Sequence, residues 1–165
     1  MPPNIATLYL LCGKPAAGKS TLAMKLAQEN RAVLISEDTW LSALYSDALI
    51  DLPDYVRCSR KLRAIMGPHV ADLLNNGMSV VLDFPANTVK TRNWMRGILD
   101  STGARHVLHL LDPPDAECIA RLHSRNEKSD HPFAVTEQQF HRIAAHFEAP
   151  TPDEGFEVIR HTEVI

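Results

Sequence analysis

The sequence predicts an α/β fold: a doubly wound parallel sheet of about five strands, with helices on both faces and a small lid. Three observations lead there. Short apolar runs alternate with stretches of helical apolar periodicity, the pattern of successive βα units. The first run leads into Gly13-Lys14-Pro15-Ala16-Ala17-Gly18-Lys19-Ser20, a glycine-rich loop that opens directly onto a helical stretch. The length of 165 residues, 45% hydrophobic and 22% charged, suits one domain (1–165) with a sizeable core.

Each element has its own justification. Residues 7–12, TLYLLC, form a short apolar segment suited to a buried strand. Residues 21–28 have helical spacing and strong helix formers. Residues 32–36 are a second, β-branched strand. From 54 to 76, apolar residues at Tyr55, Cys58, Leu62, Ile65, Met66, Val70, Leu73 and Leu74 follow a helix. Gly67-Pro68 interrupts it, which predicts a kink or two successive helices, and Asn76-Gly77 supplies the end. Residues 78–83 are a third strand, almost continuously apolar as a central parallel strand must be. Asn87 or Thr88 caps a helix through about Ser101, ended near Gly103, and residues 106–111 make a fourth strand. Asp112-Pro113-Pro114-Asp115 starts a helix to about Arg125. A loop over 126–135 follows. Thr136, with Gln139 at capping-box spacing, opens the last helix, and residues 157–160 form an edge strand.

Bulk properties exclude several classes. A net charge of −3 leaves no global basic footprint for a long nucleic acid. Cys12, Cys58 and Cys118 are odd in number and share no CxxC spacing, so reduced thiols and a cytoplasmic location are expected. No signal-like N-terminus is visible, and no run approaches the ~20 apolar residues of a membrane span. His141 and His146 lack i,i+4 spacing, and no zinc pattern occurs.

The glycine loop fits G-x-x-x-x-G-K-[S/T], the phosphate-binding P-loop. Gly13 and Gly18 let backbone N–H groups turn toward an anion, and the helix N-terminus adds partial positive charge. The expected nucleotide-binding segment is Gly13, Lys14, Pro15, Ala16, Ala17, Gly18, Lys19, Ser20 and Thr21. Lys19 reaches the β- and γ-phosphates, and the Ser20 hydroxyl ligates Mg²⁺. In such sheets ligands bind at the strand C-termini. Asp83 closes the third strand as a Walker-B aspartate does and holds Mg²⁺ through water and Ser20; a capping or loop role is the alternative. Asp38, beyond the second strand, is the candidate general base toward an incoming hydroxyl. On extended backbone only one of Glu37 and Asp38 points inward, so Glu37 in that role, or Asp38 as a helix N-cap, are the alternatives.

Arg121 and Arg125 lie four apart on the helix after the fourth strand, a repulsive spacing unless an anion sits between them. They open into the 126–135 loop with Lys128 and His131, a lid over about 121–136; two solvated arginines are the alternative. Two further basic clusters, Arg57, Arg60, Lys61 and Arg63, and Arg92 with Arg96, can bind an anionic acceptor or simply be wet helix faces. Trp40, Tyr45 and Tyr55 wall an acceptor pocket or pack in the core. Absence of an N-K-x-D tetrad favours ATP over GTP.

The run from Leu10 through Gly13, Gly18, Lys19 and Ser20 to Ala23 resembles the opening of small P-loop kinases, the chloramphenicol phosphotransferase and zeta-toxin relatives often described as AAA-type ATP-binding proteins. Ile35-Ser36-Glu37-Asp38 resembles their aspartate after the second strand, although Glu37 stands where a small residue is commoner. Val80-Val81-Leu82-Asp83-Phe84 and Arg121-Leu122-His123-Ser124-Arg125 are similar to their third strand and their lid helix. The resemblance spans about residues 5–130. It implies a nucleoside-kinase-like P-loop NTPase fold, ATP with Mg²⁺, and γ-phosphoryl transfer to a hydroxyl of a small molecule. Asp38 would be the base, Lys19 the phosphate clamp, and Arg121 or Arg125 the charge stabilisers. Residues 49–63 and 131–135 match no acceptor motif. A nucleic-acid-end or nucleotide kinase, and a regulatory NTP switch or slow ATPase, are the competing readings. The acidic pI of about 6.2 speaks against nucleic acid as a partner.

Overall fold

In a computed structural model, residues 5–129 and 133–163 are described. The chain runs β1 (Thr7–Gly13), α1 (Lys19–Asn30), β2 (Val33–Ser36), α2 (Glu37–Tyr45), α3 (Leu52–Asn75), β3 (Val80–Pro85), α4 (Val89–Asp100), β4 (Arg105–Leu111), α5 (Asp115–Lys128), α6 (Glu137–Ala145) and β5 (Val158–His161). The five strands lie in the order β2-β3-β1-β4-β5, and all four pairings are parallel. Helices cover both faces, as the βα alternation predicts. On one face α2, α3 and α4 bury Leu41, Leu62, Met66, Val70 and Met95 against Leu8, Leu10 and Leu82. On the other, α1, α5 and α6 bury Leu22, Leu26, Leu122 and Phe140 against Leu11 and Val81. The alternation along β3 puts Leu82 on the first face and Val81 on the second. Asp83 therefore shares the α1 face with Val81.

Several boundaries differ from the sequence expectation. Residues 52–75 form one continuous helix with Pro68 inside it, not two. Gly67 is the reason such a step is tolerated: a proline ring clashes with the Cβ of the preceding residue, and glycine has none. The same missing Cβ lets α4 approach, because a Cβ on Gly67 would meet Trp94 Nε1 at 3.2 Å. β3 starts and ends two residues later than 78–83, so Asp83 lies within the strand rather than closing it. Thr88, not Asn87, caps α4, accepting from the Thr91 N–H at 3.2 Å. α5 continues through Lys128, shortening the expected loop. The Thr136–Gln139 capping box forms as expected. All three cysteines are buried, and burial pushes the Cys12 thiol up to about 11, so each acts as a small apolar side chain.

Arg92 and Arg96 do not form an acceptor site. Arg92 is 0% exposed and holds the chain before β5. Its Nε donates to Glu154 Oε1 at 2.7 Å, and Nη1 donates to the carbonyls of Ala86 (2.8 Å) and Glu148 (2.7 Å). Arg96 lies 4.2 Å over the Phe156 ring and donates to the Glu154 carbonyl. Charge clustering does not separate such a buried anchor from a ligand-binding face, because the partners at Glu148 and Glu154 lie 56 and 62 residues away.

At the β4–β5 edge, His109 Nδ1 and His161 Nε2 are 3.0 Å apart with stacked rings. One ring donates and the other accepts, so the accepting ring is neutral. Burial, then His161, holds the His109 pKa down to about 4. An unfolded histidine titrates near ~6.5. The contribution of this pair is thus complete above about pH 6.5 and is lost as pH falls toward 4. Urea unfolding is expected to show a loss of about 1–2 kcal/mol across that window, with a flatter profile in His109→Gln.

Candidate active site

A cavity of about 1080 Å³ lies at the C-terminal end of the strands, lined by the loop after β1, the start of α2 and α3, the end of β3, and α5 and α6. The loop's two glycines serve different physical needs. A Cβ on Gly13 would stand 2.8 Å from the Leu111 carbonyl oxygen, so only glycine fits between β1 and β4. Gly18 has φ 103°, a conformation open to glycine, while Ala16 also takes a left-handed φ of 59°. Of the two glycines, Gly13 thus serves close approach and Gly18 the positive-φ turn. Gly18 is the N-cap of α1 and makes no side-chain cap, in contrast to Ser36, Asp51, Thr88 and Thr136 at α2, α3, α4 and α6. The first N–H groups of α1 are left without a side-chain acceptor and suit an anion.

Asn87 fastens this loop, a role sequence reading missed. Its Oδ1 accepts from the Gly13 N–H at 2.9 Å and its Nδ2 donates to the Gly13 carbonyl at 2.8 Å. The only local signal was an asparagine just beyond a strand end, which equally suits a helix cap.

Pro15, Ala16, Gly18, Lys19, Ser20 and Thr21 line the cavity. Ala17 is buried beneath the loop, and the Lys14 side chain instead pairs with Asp115 at 2.7 Å. Lys19 Nζ donates to the carbonyls of Gly13 (2.6 Å) and Lys14 (2.9 Å). Burial lowers its pKa, opposed chiefly by Asp83 and then by Cys12 and Asp38. Ser20 Oγ donates to Asp83 Oδ2 at 3.1 Å. Burial raises the Asp83 pKa, the Ser20 hydrogen bond and Lys19 oppose it, and Asp38 and Glu37 add to it. A hydroxyl and a carboxylate in contact are hard oxygen donors of the kind Mg²⁺ takes together with phosphate and water. Among the described residues no group of three or more His, Cys, Asp or Glu gathers to hold a metal by itself.

The Glu37/Asp38 ambiguity resolves through secondary structure. The backbone there is not extended: α2 starts at Glu37, Ser36 is its N-cap, and consecutive side chains diverge by about 100°. Glu37 turns onto α3 and is 1% exposed. Its Oε1 accepts from Tyr55 Oη (2.5 Å) and Ser59 Oγ (3.1 Å), and its Oε2 from Arg63 Nη2 (3.3 Å). Asp38 lies on the cavity wall, where its charge reaches Lys19, Asp83 and Arg125.

Arg121 and Arg125 both line the cavity opposite. Arg121 Nη1 donates to the Ala16 carbonyl at 3.3 Å. Arg125 Nε is buried without a hydrogen-bond partner among the described residues, and burial pulls the guanidinium pKa down against the charge of Asp38. Arg142 on α6 joins them, unannounced by any sequence pattern. From the expected lid, Ser124, Lys128, Phe133, Ala134 and Val135 reach the cavity. His131 lies outside the described residues.

The Arg57, Arg60, Lys61 and Arg63 cluster does not converge. Arg57 pairs with Asp54 at 2.7 Å, and Arg60 and Lys61 face solvent. Only Arg63 reaches the cavity, and it is held by Glu37 and stacked over Trp94. Trp40 is largely exposed, Tyr45 packs on the core, and Tyr55 does double duty as core and cavity wall.

Solved structures share this architecture at low identity, which establishes the fold. A candidate kinase from Chloroflexus aurantiacus J-10-fl matches with TM-score 0.78 and 17% identity, covering 96% of this chain and 86% of that one. Chaetomium thermophilum Kti12 in complex with ADP-AlF3 matches with TM-score 0.71 and 17% identity, covering 94% and 88%. The Mycobacterium tuberculosis APS kinase CysC in complex with AMPPNP and APS matches with TM-score 0.62 and 20% identity, covering 96% and 90%. No curated protein matches the sequence significantly. No helix among the described residues is long and apolar enough to cross a membrane. The AAA domain model matches residues 8–150, most of the chain; with its parallel P-loop kinase-like sheet, the protein belongs to the AAA domain family.

Proposed function

We propose that the protein is an ATP-dependent phosphotransferase that moves the γ-phosphoryl group of ATP to a hydroxyl of a small molecule. The observation that carries it is the convergence on one cavity of Asp38, Lys19, the Ser20–Asp83 pair and the Arg121/Arg125 pair. The nucleotide complexes of Kti12 and APS kinase support ATP as donor.

In this reading the loop amides and the start of α1 bind the β-phosphate, and Lys19 exchanges its loop carbonyls for phosphate oxygens. Ser20 and Asp83 would hold Mg²⁺, which neutralises charge on the β- and γ-phosphates. Asp38 accepts the proton of the acceptor hydroxyl as its oxygen bonds to the γ-phosphorus and the bond to the β,γ-bridging oxygen breaks, releasing ADP. Arg121 and Arg125 offset charge on the transferring group; an anion between them also relieves their mutual repulsion and gives the Arg125 Nε a partner. Residues 121–136 act as the lid. The narrower kinship to the chloramphenicol phosphotransferase and zeta-toxin group, and a cytoplasmic location, belong to the same proposal. Asp38 after β2 and Asp83 in β3 support the kinship, and the free Cys12, Cys58 and Cys118 support the location.

Incubation with γ-labelled ATP and a broad panel of alcohols is expected to move label onto an organic acceptor, and Lys19→Ala to abolish both transfer and nucleotide binding. Label that leaves ATP only for water would refute the reading.

A further inference from the structure

We infer that Asn87 is a positioning residue for phosphate binding: its side-chain amide holds the Gly13 carbonyl so that Lys19 can leave that carbonyl for a phosphate oxygen. The inference rests on the nucleotide-binding part of the phosphotransferase reading and deepens it. In the free protein Lys19 Nζ donates to the carbonyls of Gly13 at 2.6 Å and Lys14 at 2.9 Å. To clamp a phosphate it has to give up both. A desolvated carbonyl left without a donor is costly and would oppose the exchange. Each of the two oxygens has a second donor. Asn87 Nδ2 donates to the Gly13 carbonyl at 2.8 Å, and the Ala17 N–H donates to the Lys14 carbonyl at 3.2 Å. Neither oxygen is orphaned when the ammonium moves.

Asn87 is placed to do this because it continues the sheet into the loop. Beyond the paired Leu11 and Pro85, the Ala86 N–H donates to the Leu11 carbonyl at 2.9 Å. One residue on, the Asn87 side chain takes over from the backbone. Its Oδ1 accepts from the Gly13 N–H at 2.9 Å while its Nδ2 holds the Gly13 carbonyl. One amide thereby fixes the peptide planes on both sides of Gly13. On the opposite side Gly13 lies against Leu111 of β4, with no room for a Cβ. Asn87 is itself braced from behind. Its carbonyl accepts from the Glu148 N–H at 2.9 Å, and Arg92 Nη1 joins the neighbouring carbonyls of Ala86 and Glu148. The loop therefore keeps its binding conformation at the moment Lys19 departs, and binding does not have to reorder it. Asparagine suits the position because its side chain is both acceptor and donor; a carboxylate is an acceptor only.

Two variants test it, Asn87→Asp and Asn87→Ser. Aspartate keeps an acceptor for the Gly13 N–H but turns its other oxygen against the Gly13 carbonyl, an arrangement that Lys19 offsets only while it stays on that carbonyl. Serine is too short to reach Gly13 and adds no charge, so it excludes plain repulsion of the phosphates as the cause. Calorimetric titration with AMPPNP and with ADP, each with Mg²⁺, is expected to give a Kd weaker by about tenfold or more in both variants. Circular dichroism and a cooperative thermal transition show that the variants are folded. The rise in Tm that saturating AMPPNP gives the parent protein should shrink in both. A role confined to folding predicts a lower Tm with an unchanged Kd. A parent-like Kd in either folded variant overturns the inference and leaves the kinase reading standing. Failure of both variants to fold assigns the amide to the fold and overturns it as well. Absence of AMPPNP and ADP binding by the parent protein overturns both the inference and the kinase reading.

Discussion

Asp38→Asn is expected to lower kcat for phosphoryl transfer by about 10²–10⁴-fold, roughly 3–5 kcal/mol in the barrier, with nucleotide affinity little changed. Asparagine has nearly the same shape and keeps the side chain on the cavity wall, but it cannot take the proton of an incoming hydroxyl. No neighbour can stand in. Glu37 is one residue away yet buried and engaged by Tyr55, Ser59 and Arg63, and Asp83 is engaged by Ser20. Single-turnover transfer from γ-labelled ATP, with AMPPNP titration on the same variant, separates the two quantities. A regulatory switch predicts the opposite pattern: its function would survive Asp38→Asn and disappear with Lys19→Ala. Persistent transfer in Asp38→Asn would remove the aspartate from the mechanism.

The largest effect on stability is expected at Arg92. Arg92→Met keeps much of the side chain's volume but leaves the Glu154 carboxylate, 12% exposed, and the Ala86 and Glu148 carbonyls without their donor. Removing one member of a buried pair costs about 3–5 kcal/mol, because the remaining charge stays desolvated. In a protein of this size that corresponds to a fall in Tm of about 10 °C, read by thermal unfolding. Arg92→Met combined with Glu154→Gln should recover part of the loss, since no uncompensated charge is left. A surface role for Arg92 would instead move Tm by no more than about 1–2 °C.

The two predictions concern residues that sequence reading treated very differently. Asp38 was visible because a carboxylate just after an apolar strand stands at the ligand-binding edge of a parallel sheet. What stayed open was its competition with Glu37, and that depended on whether residues 37–38 were extended or helical. The 3.6-residue pattern over so short a helix is weak, so the start of α2 at Glu37 was not readable. Arg92 was misleading for another reason. A basic residue on an amphipathic helix is ordinarily solvated, and the partners that bury this one come from a segment with no strong pattern of its own, between α6 and β5. Asn87 had the same difficulty, being 74 residues from the glycine it clamps.

By itself the sequence determined the succession of strands and helices, the parallel α/β class, and the strand–glycine loop–helix unit that cradles phosphate. These follow from periodicity and from backbone conformations only glycine accepts, both properties of a few neighbouring residues. Tertiary structure alone decided which of two adjacent acids faces the cavity, which arginines gather there and which become buried anchors. Those outcomes depend on where desolvated charges find partners distant in the chain, and no local pattern records that pairing.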